Sequence, residues 1–262
     1  MQEYDFIAST LKETAAWLAA FRAEEGATDP TEKGAADLLT RADIETQRRL
    51  VARLQEAFPR DGIVGEEEGF DAMPADPDGR HWLLDPIDGT YNFVRGFFPS
   101  YGISIALSQN GLPQAAGIAF PGTGQLYLAR RGGGAFCGDS RLTVSTVEEI
   151  ERSQLMMDFS TPRHRQAAVE GGTASVLAVG QVRSPGCAVV SLSAVAAGKA
   201  EAALDFGLSA WDCAAGMLLV EEAGGRISRP DGSRLHLLDG KRGILASNGL
   251  LHEAFVERIE TP

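Results

Sequence analysis

Apolar and polar positions follow two periods along this chain. Over residues 2–25, Phe6, Thr10, Leu11, Thr14, Leu18 and Phe21 recur at helical spacing among Ala, Glu and Lys, which predicts an amphipathic helix with one buried face. Residues 43–58 repeat the pattern through Ile44, Val51, Leu54 and Phe58, and Pro59 ends it. Between them "TDPTEKGAADLLTRAD" is rich in Gly, Pro and Asp and reads as a loop or mobile hairpin. Ile63 and Val64 form a short strand before an acidic loop, and Trp82, Leu83 and Leu84 read as the end of a buried strand. From Tyr101 to Val144, β-rich runs separated by NG, PG and Gly-rich turns predict an antiparallel meander. Beyond it, strand-like "QLMMDF" and "AEAALDF" alternate with helical stretches near 187–198 and 211–223, and residues 251–259 close the chain as a helix. The sum is a layered α+β or α/β enzyme. Its first half, 1–145, is α+β with the meander, its second, 146–262, is α/β, and the site lies between halves of one compact unit.

Bulk properties narrow the class. Net charge is −12, which repels nucleic acid and anionic membranes, and no basic stripe offsets it. An anionic small substrate then needs a local source of positive charge. No apolar run reaches the length of a membrane span, and the N-terminus lacks the apolar region of a secretory signal. Cys137, Cys187 and Cys213 are far apart and include no CxxC pair, which fits a reducing cytoplasm and small buried side chains. His81, His164, His236 and His252 are scattered, so the sequence does not indicate a zinc site.

Acidic residues gather at predicted element ends. In "WLLDPIDGTYNF", a buried strand runs into Asp85 and Asp88 around Pro86 and Ile87. Gly89 then permits an unusual backbone, and Thr90 is placed to cap a short helical turn. Glu66, Glu67 and Glu68 follow the short strand; Asp212 begins an Ala- and Leu-rich helix; Asp43 begins the second helix. Each has an ordinary reading as a turn, a solvated face or a cap. Together they are hard oxygen donors, the set that suits Mg²⁺ or Mn²⁺.

"GEEEG", "WLLDPIDGTYNF" and "WDCAAGMLLVEEAGG", in this order, resemble the inositol monophosphatase family of magnesium-dependent, lithium-sensitive-type phosphatases over nearly the whole chain. "RSPGCAVVSLSAVAAGKAEAAL" resembles that family's substrate-side helix. The resemblance implies an αβαβα fold, two to three Mg²⁺ ions with Mn²⁺ as a substitute, and a cytoplasmic homodimer. By position it implies that Glu66, Asp85 and the Ile87 carbonyl hold a first ion. Asp85, Asp88 and Asp212 hold a second, and a weaker third leans on Glu66. Thr90 and Asp43 orient the attacking water. Gly89 and Thr90 meet the phosphate, Gly186, Cys187 and Ala188 line the pocket, and Asp205 contacts substrate hydroxyls. Lys33 has two readings, a cation reaching the phosphate or a loop carboxylate, and a surface lysine.

Departures from the family pattern fall on the substrate side. Asp205 stands where the inositol-preferring pattern has Glu, Ser209 where some members have His, and Cys187 where a small residue is usual. The implied activity is a phosphomonoesterase using metal-activated water, with inositol monophosphate or a similar polyol phosphate leading. Histidinol phosphate, fructose 1,6-bisphosphate and nucleotide bisphosphates are the alternatives. From another class, a protein that keeps this fold only to bind a partner predicts a broken ligand set.

Overall fold

The structure is a computed structural model that describes residues 3–25, 31–34, 37–96, 98–238 and 242–259. The chain opens with α1 (Glu3–Glu25), a hairpin of β1 (Thr31–Gly34) and β2 (Asp37–Leu39), and α2 (Arg41–Ala57). Phe6, Thr10, Leu11, Thr14 and Leu18 all lie buried on one face of α1, as the periodicity predicts. The second helix corrects one position. Ile44 is 51% exposed, and the inward stripe is Asp43, Thr46, Gln47, Leu50, Val51 and Leu54. The helix begins at Arg41, with Thr40 as its cap, and Ile44 lies at the edge of this inward stripe rather than at its middle.

The first sheet holds β3 (Gly62–Gly65), β4 (His81–Asp88), β5 (Gly102–Gln109), β6 (Leu112–Phe120), β7 (Gln125–Arg130), β8 (Gly134–Cys137) and β9 (Ser140–Arg141), side by side in chain order. β3 pairs with β4 in parallel and the remaining pairs are antiparallel, so the meander predicted from Tyr101 begins one strand earlier. The turn between β4 and β5 contains α3 (Thr90–Arg95).

The second sheet is built from β10 (Gln154–Met157), β11 (Gln181–Arg183), β12 (Ala202–Leu208), β13 (Arg226–Ser228) and β14 (Arg242–Ser247), in the order β11-β10-β12-β14-β13. β10 lies parallel to both its neighbours, while β14 runs antiparallel to β12 and β13. Its helices are α4 (Pro162–Ala178), α5 (Ala188–Ala196), α6 (Ala210–Glu222) and α7 (His252–Val256). The sequence reading located α5, α6 and α7 but not α4, β11, β13 or β14.

Packing gives five layers. α1 and α2 cover one face of the first sheet around Phe6, Leu11, Leu50, Trp82 and Ile105. α5 and α6 fill the space between the sheets, in a core that reaches from Val64 to Ala246 and draws on both halves of the chain. α4 and α7 cover the outer face of the second sheet around Leu155, Leu204, Leu245 and Phe255. This is the αβαβα arrangement. It leaves the C-terminal ends of β4, β10 and β12 and the N-terminal ends of α5 and α6 facing one space.

Candidate active site

The site is built outward from the end of β4. Asp85 does not follow this strand, as the sequence suggests; it lies inside it, 2% exposed. Pro86 has no N–H to donate, and the pairing with β5 accordingly shifts between Asp85 and Asp88. The bulge turns both carboxylates to the same cavity. Asp85 Oδ1 accepts a hydrogen bond from the Ile87 N–H at 3.1 Å, which fixes the loop between them.

Gly89 follows at φ 86°, and a Cβ there would come within 2.8 Å of the Ser100 carbonyl oxygen. Gly89, not Thr90, occupies the cap position of α3; Thr90 is its first helical residue. The Thr90 hydroxyl therefore points back. It lies 2.9 Å from the Ile87 carbonyl and 3.2 Å from Asp43 Oδ1, with one proton to share between them. Asp43 is fully buried in the third position of α2, where its other oxygen accepts from the Thr40 N–H at 2.8 Å and from the Thr40 hydroxyl. Its cap role is real but reciprocal, as partner to Thr40.

Three more segments meet this turn. Glu66 follows β3 and lines the cavity, whereas Glu67 is buried, its backbone bonded to the Gln47 amide in both directions. The solvated-face reading thus holds only for Glu68, which is exposed. Asp212 sits in the first turn of α6 and accepts from the Ser209 N–H at 2.6 Å, so Ser209 is the cap and Asp212 its partner three residues on. Gly186, Cys187 and Ala188 lead into α5, where Asp88 Oδ2 accepts from the Val189 N–H at 2.6 Å. Cys187 is buried beside the Asp88 carbonyl, and burial pushes its thiol well up, away from a nucleophilic thiolate.

The electrostatics of this cluster are lopsided. Burial raises the Asp85 carboxyl well above its ordinary range, and Glu66, Asp88 and Asp212 push it further. Asp212 is raised for the same reasons. Asp88 is pushed up to about 7, burial outweighing the hydrogen bonds from Val189 and Ala188. Asp43 rises to about 6, burial outweighing its bonds to Thr40. Among the described residues lining the cavity there is no Lys or Arg. Four carboxylates gathered round one cavity, without a Lys or Arg among its described lining residues, suit hard divalent cations.

The cavity has a volume of about 640 Å³, in the range of small-molecule sites. Its inner wall is the set just described. Its outer wall is Asp158, Ser160, His164 and Asp205. Of these, the family resemblance implies only Asp205; His164 is one of four scattered histidines. Asp158 directly follows β10, and a single acid there has no spacing that marks it in the sequence. His164 is brought in by the first turn of α4, for which the pattern offers no apolar stripe. Among the described residues, Asp158, His164 and Asp205 are the three potential ligand side chains whose donor atoms all lie within 4.8 Å of one another. No three of Glu66, Asp85, Asp88 and Asp212 approach that closely, as expected of like charges. The backbone of Lys33 belongs to β1, and its side chain lies outside the described residues.

A family model described as the inositol monophosphatase family matches residues 1–261. An inositol-1-monophosphatase of Caulobacter vibrioides is 37% identical over 235 residues, covering 87% of this chain and 90% of that protein. A histidinol-phosphatase of Chlorobaculum parvum is 37% identical over 214 residues, covering 81% of this chain and 80% of its own. Among solved structures, the extragenic suppressor protein SuhB from Bartonella henselae superposes with a TM-score of 0.86 at 29% identity, covering 97% of this chain and 96% of that one. With the layered fold, the acidic cavity and a match over essentially its full length, the chain belongs to the inositol monophosphatase family and is a phosphoric monoester hydrolase.

Proposed function

We propose that the protein is a Mg²⁺-dependent phosphatase of small polyol monophosphates, with inositol monophosphate as the leading substrate. One observation carries this reading. The described lining of the cavity has six carboxylates, Glu66, Asp85, Asp88, Asp158, Asp205 and Asp212, and no Lys or Arg. A single phosphate fits beside the inner four once cations neutralise them. A second phosphate would meet Asp158 and Asp205 with no Lys or Arg among the described lining residues, which weighs against fructose 1,6-bisphosphate and nucleotide bisphosphates.

Glu66, Asp85 and the Ile87 carbonyl would hold one ion, and Asp85, Asp88 and Asp212 another, with Mn²⁺ as a substitute. Bound divalent ions supply Lewis acidity and a more acidic water at neutral pH. The chain's own residues do the positioning. Thr90, steered by Asp43, aims the water at phosphorus in line with the leaving oxygen. Gly89 and Thr90 present backbone N–H groups to the phosphate, and Gly186, Cys187 and Ala188 shape the wall that excludes bulk water. The two halves, 1–145 and 146–262, work as one unit around the cavity. The proposal includes a homodimer in a reducing, cytoplasmic setting, in keeping with the free thiols of Cys137, Cys187 and Cys213.

A second reading, a phosphate ester of an amino alcohol such as histidinol phosphate, draws on the carboxylates of Asp158 and Asp205 as partners for a cation. A partner-binding protein without activity draws on the likeness to SuhB alone, and the complete carboxylate set weighs against it. The test is phosphate release from a panel of monoesters and bisphosphates by EDTA-stripped protein, with and without Mg²⁺ or Mn²⁺. Inositol 1-phosphate should be hydrolysed only with metal. Asp88→Asn should need at least about tenfold more Mg²⁺ for half-maximal rate. Metal-independent turnover, or an unchanged Mg²⁺ requirement in Asp88→Asn, rejects the assignment.

A further inference from the structure

We infer that His164 is a specificity-determining residue, which together with Asp205 reads neighbouring hydroxyl groups on the leaving alcohol while Asp158 holds its ring in place. This deepens the polyol-phosphatase reading and rests on it. β10 and β12 run parallel with Met157 opposite Leu204, so Asp158, just past the end of β10, stands beside Asp205, which lies inside β12 where its pairing with β14 becomes irregular. Both line the cavity. The His164 ring lies against the pair, its Nδ1 2.7 Å from Asp158 Oδ2, with 23% of its side chain exposed.

The arrangement is fixed on every side. Asp158 accepts from the Ser160 N–H at 2.7 Å and the Ser160 hydroxyl at 2.8 Å. The His164 N–H donates to the Thr161 hydroxyl at 3.2 Å, which caps α4. Arg165 ties down the same turn by donating to the Phe159 and Ser160 carbonyls at 3.0 and 2.9 Å. Asp205 Oδ1 accepts from the Gly207 N–H at 2.8 Å. Burial alone would raise Asp158, yet bonds from His164 and Ser160 outweigh it and hold this carboxyl below its usual range. It stays an acceptor and keeps Nδ1 engaged.

With Nδ1 turned to Asp158, the other polar atom of the ring is Nε2, which accepts in the neutral ring and donates in the charged one. A hydroxyl group can do either, so it suits the ring in both states. A second hydroxyl on the same alcohol can donate to Asp205. An anionic group would meet two carboxylates and is disfavoured. The paired acceptors and the imidazole suit an alcohol with adjacent hydroxyls, and the cationic alternative is separated from it by the control below.

The experiment compares kcat/KM for myo-inositol 1-phosphate and cyclohexyl phosphate, the same ring without hydroxyls, at saturating Mg²⁺. 2-Aminoethyl phosphate is the cationic control, and circular dichroism checks folding of every variant. Wild type should prefer the inositol ester. His164→Ala should cut that preference about 10- to 30-fold, mostly through KM. His164→Gln, whose amide reaches the region of Nε2, should recover part of it. Asp158→Asn should lower the same ratio by about 3- to 10-fold through KM with kcat little moved, which a merely structural role would not do. Turnover of both esters with a preference unchanged in His164→Ala overturns the inference and leaves the phosphatase reading standing. Absence of any turnover by wild type overturns both. A preference for 2-aminoethyl phosphate over the inositol ester overturns the neutral-alcohol assignment.

Discussion

Thr90 carries one hydroxyl proton between two acceptors, the Ile87 carbonyl and Asp43. If that hydroxyl relays between Asp43 and an attacking water, the loss should appear in kcat rather than KM. Thr90→Ser, which keeps the hydroxyl, should retain at least about a tenth of wild-type kcat, whereas Thr90→Val should lose about 10²-fold or more. Equal kcat for the two variants would show that the hydroxyl only braces α3. The acids around it set a pH dependence. Asp88 and Asp43 rise from 3.8 to about 7 and about 6 on folding, burial being the main cause. A raised acid pKa means that the folded chain holds protons the unfolded chain has released. This stability is fully present below about pH 4 and is lost as pH rises through 6 and 7. Metal-free protein should therefore melt about 5 °C or more lower at pH 8 than at pH 5. A melting temperature in EDTA that is flat or rises over that range would contradict the placement of these carboxylates. Asp85, Asp88, Gly89 and Thr90 were legible because four unusual requirements sit within six residues: charge, a missing donor, a left-handed turn and a hydroxyl. Asp158 and His164 were not, because a single acid and a single histidine have no spacing of their own. Only the fold brings them together.

At the scale of elements, the active-site turn depends on how α5 meets α6. Gly216 is the contact point: a Cβ there would come within 2.4 Å of the Leu192 side chain. Alanine improves helix propensity by about 1 kcal/mol, but overpacking costs about 1–3 kcal/mol. Gly216→Ala should therefore lower stability by up to about 2 kcal/mol, measured by urea unfolding. It should also weaken Mg²⁺ activation, because α5 carries the Val189 N–H that holds Asp88. A stabilised variant would show that Leu192 has room to move. Elements with a continuous apolar stripe, such as α1 and α6, could be read from the sequence. α4 could not: Gly171 and Gly172 interrupt it, and only Thr161 and Pro162 announce its start. From the sequence β4 ends before Asp85, because Pro86 cannot continue a central ladder. The strand continues through a bulge, and that irregularity turns two aspartates into the cavity.

Over the whole molecule, the inner carboxylates belong to segments far apart in the sequence: the loop after β3, the end of β4 and the first turn of α6, around the fully buried Asp43 of α2. Hydrophobic cores on either side of each sheet hold these segments in place, and the cluster works against them by mutual repulsion. A cation that binds only the folded arrangement should then stabilise the entire chain, not one loop. At 100-fold excess over its dissociation constant, such an ion adds about 2.7 kcal/mol. For a chain of this size that raises the melting temperature by about 5–10 °C. Screening of the −12 net charge by simple salt also stabilises, so the control is NaCl at matched ionic strength. Wild type should gain the full shift with Mg²⁺ and only a fraction of it with NaCl, in a single transition because α5 and α6 share their core with both sheets. Asp88→Asn and Asp212→Asn should each start from a higher melting temperature in EDTA, since one repelling charge is gone, and gain less from Mg²⁺. If Mg²⁺ and NaCl raise the wild-type value equally, the acidic cavity is only a charged surface, and the metal-centred account of its chemistry fails with it.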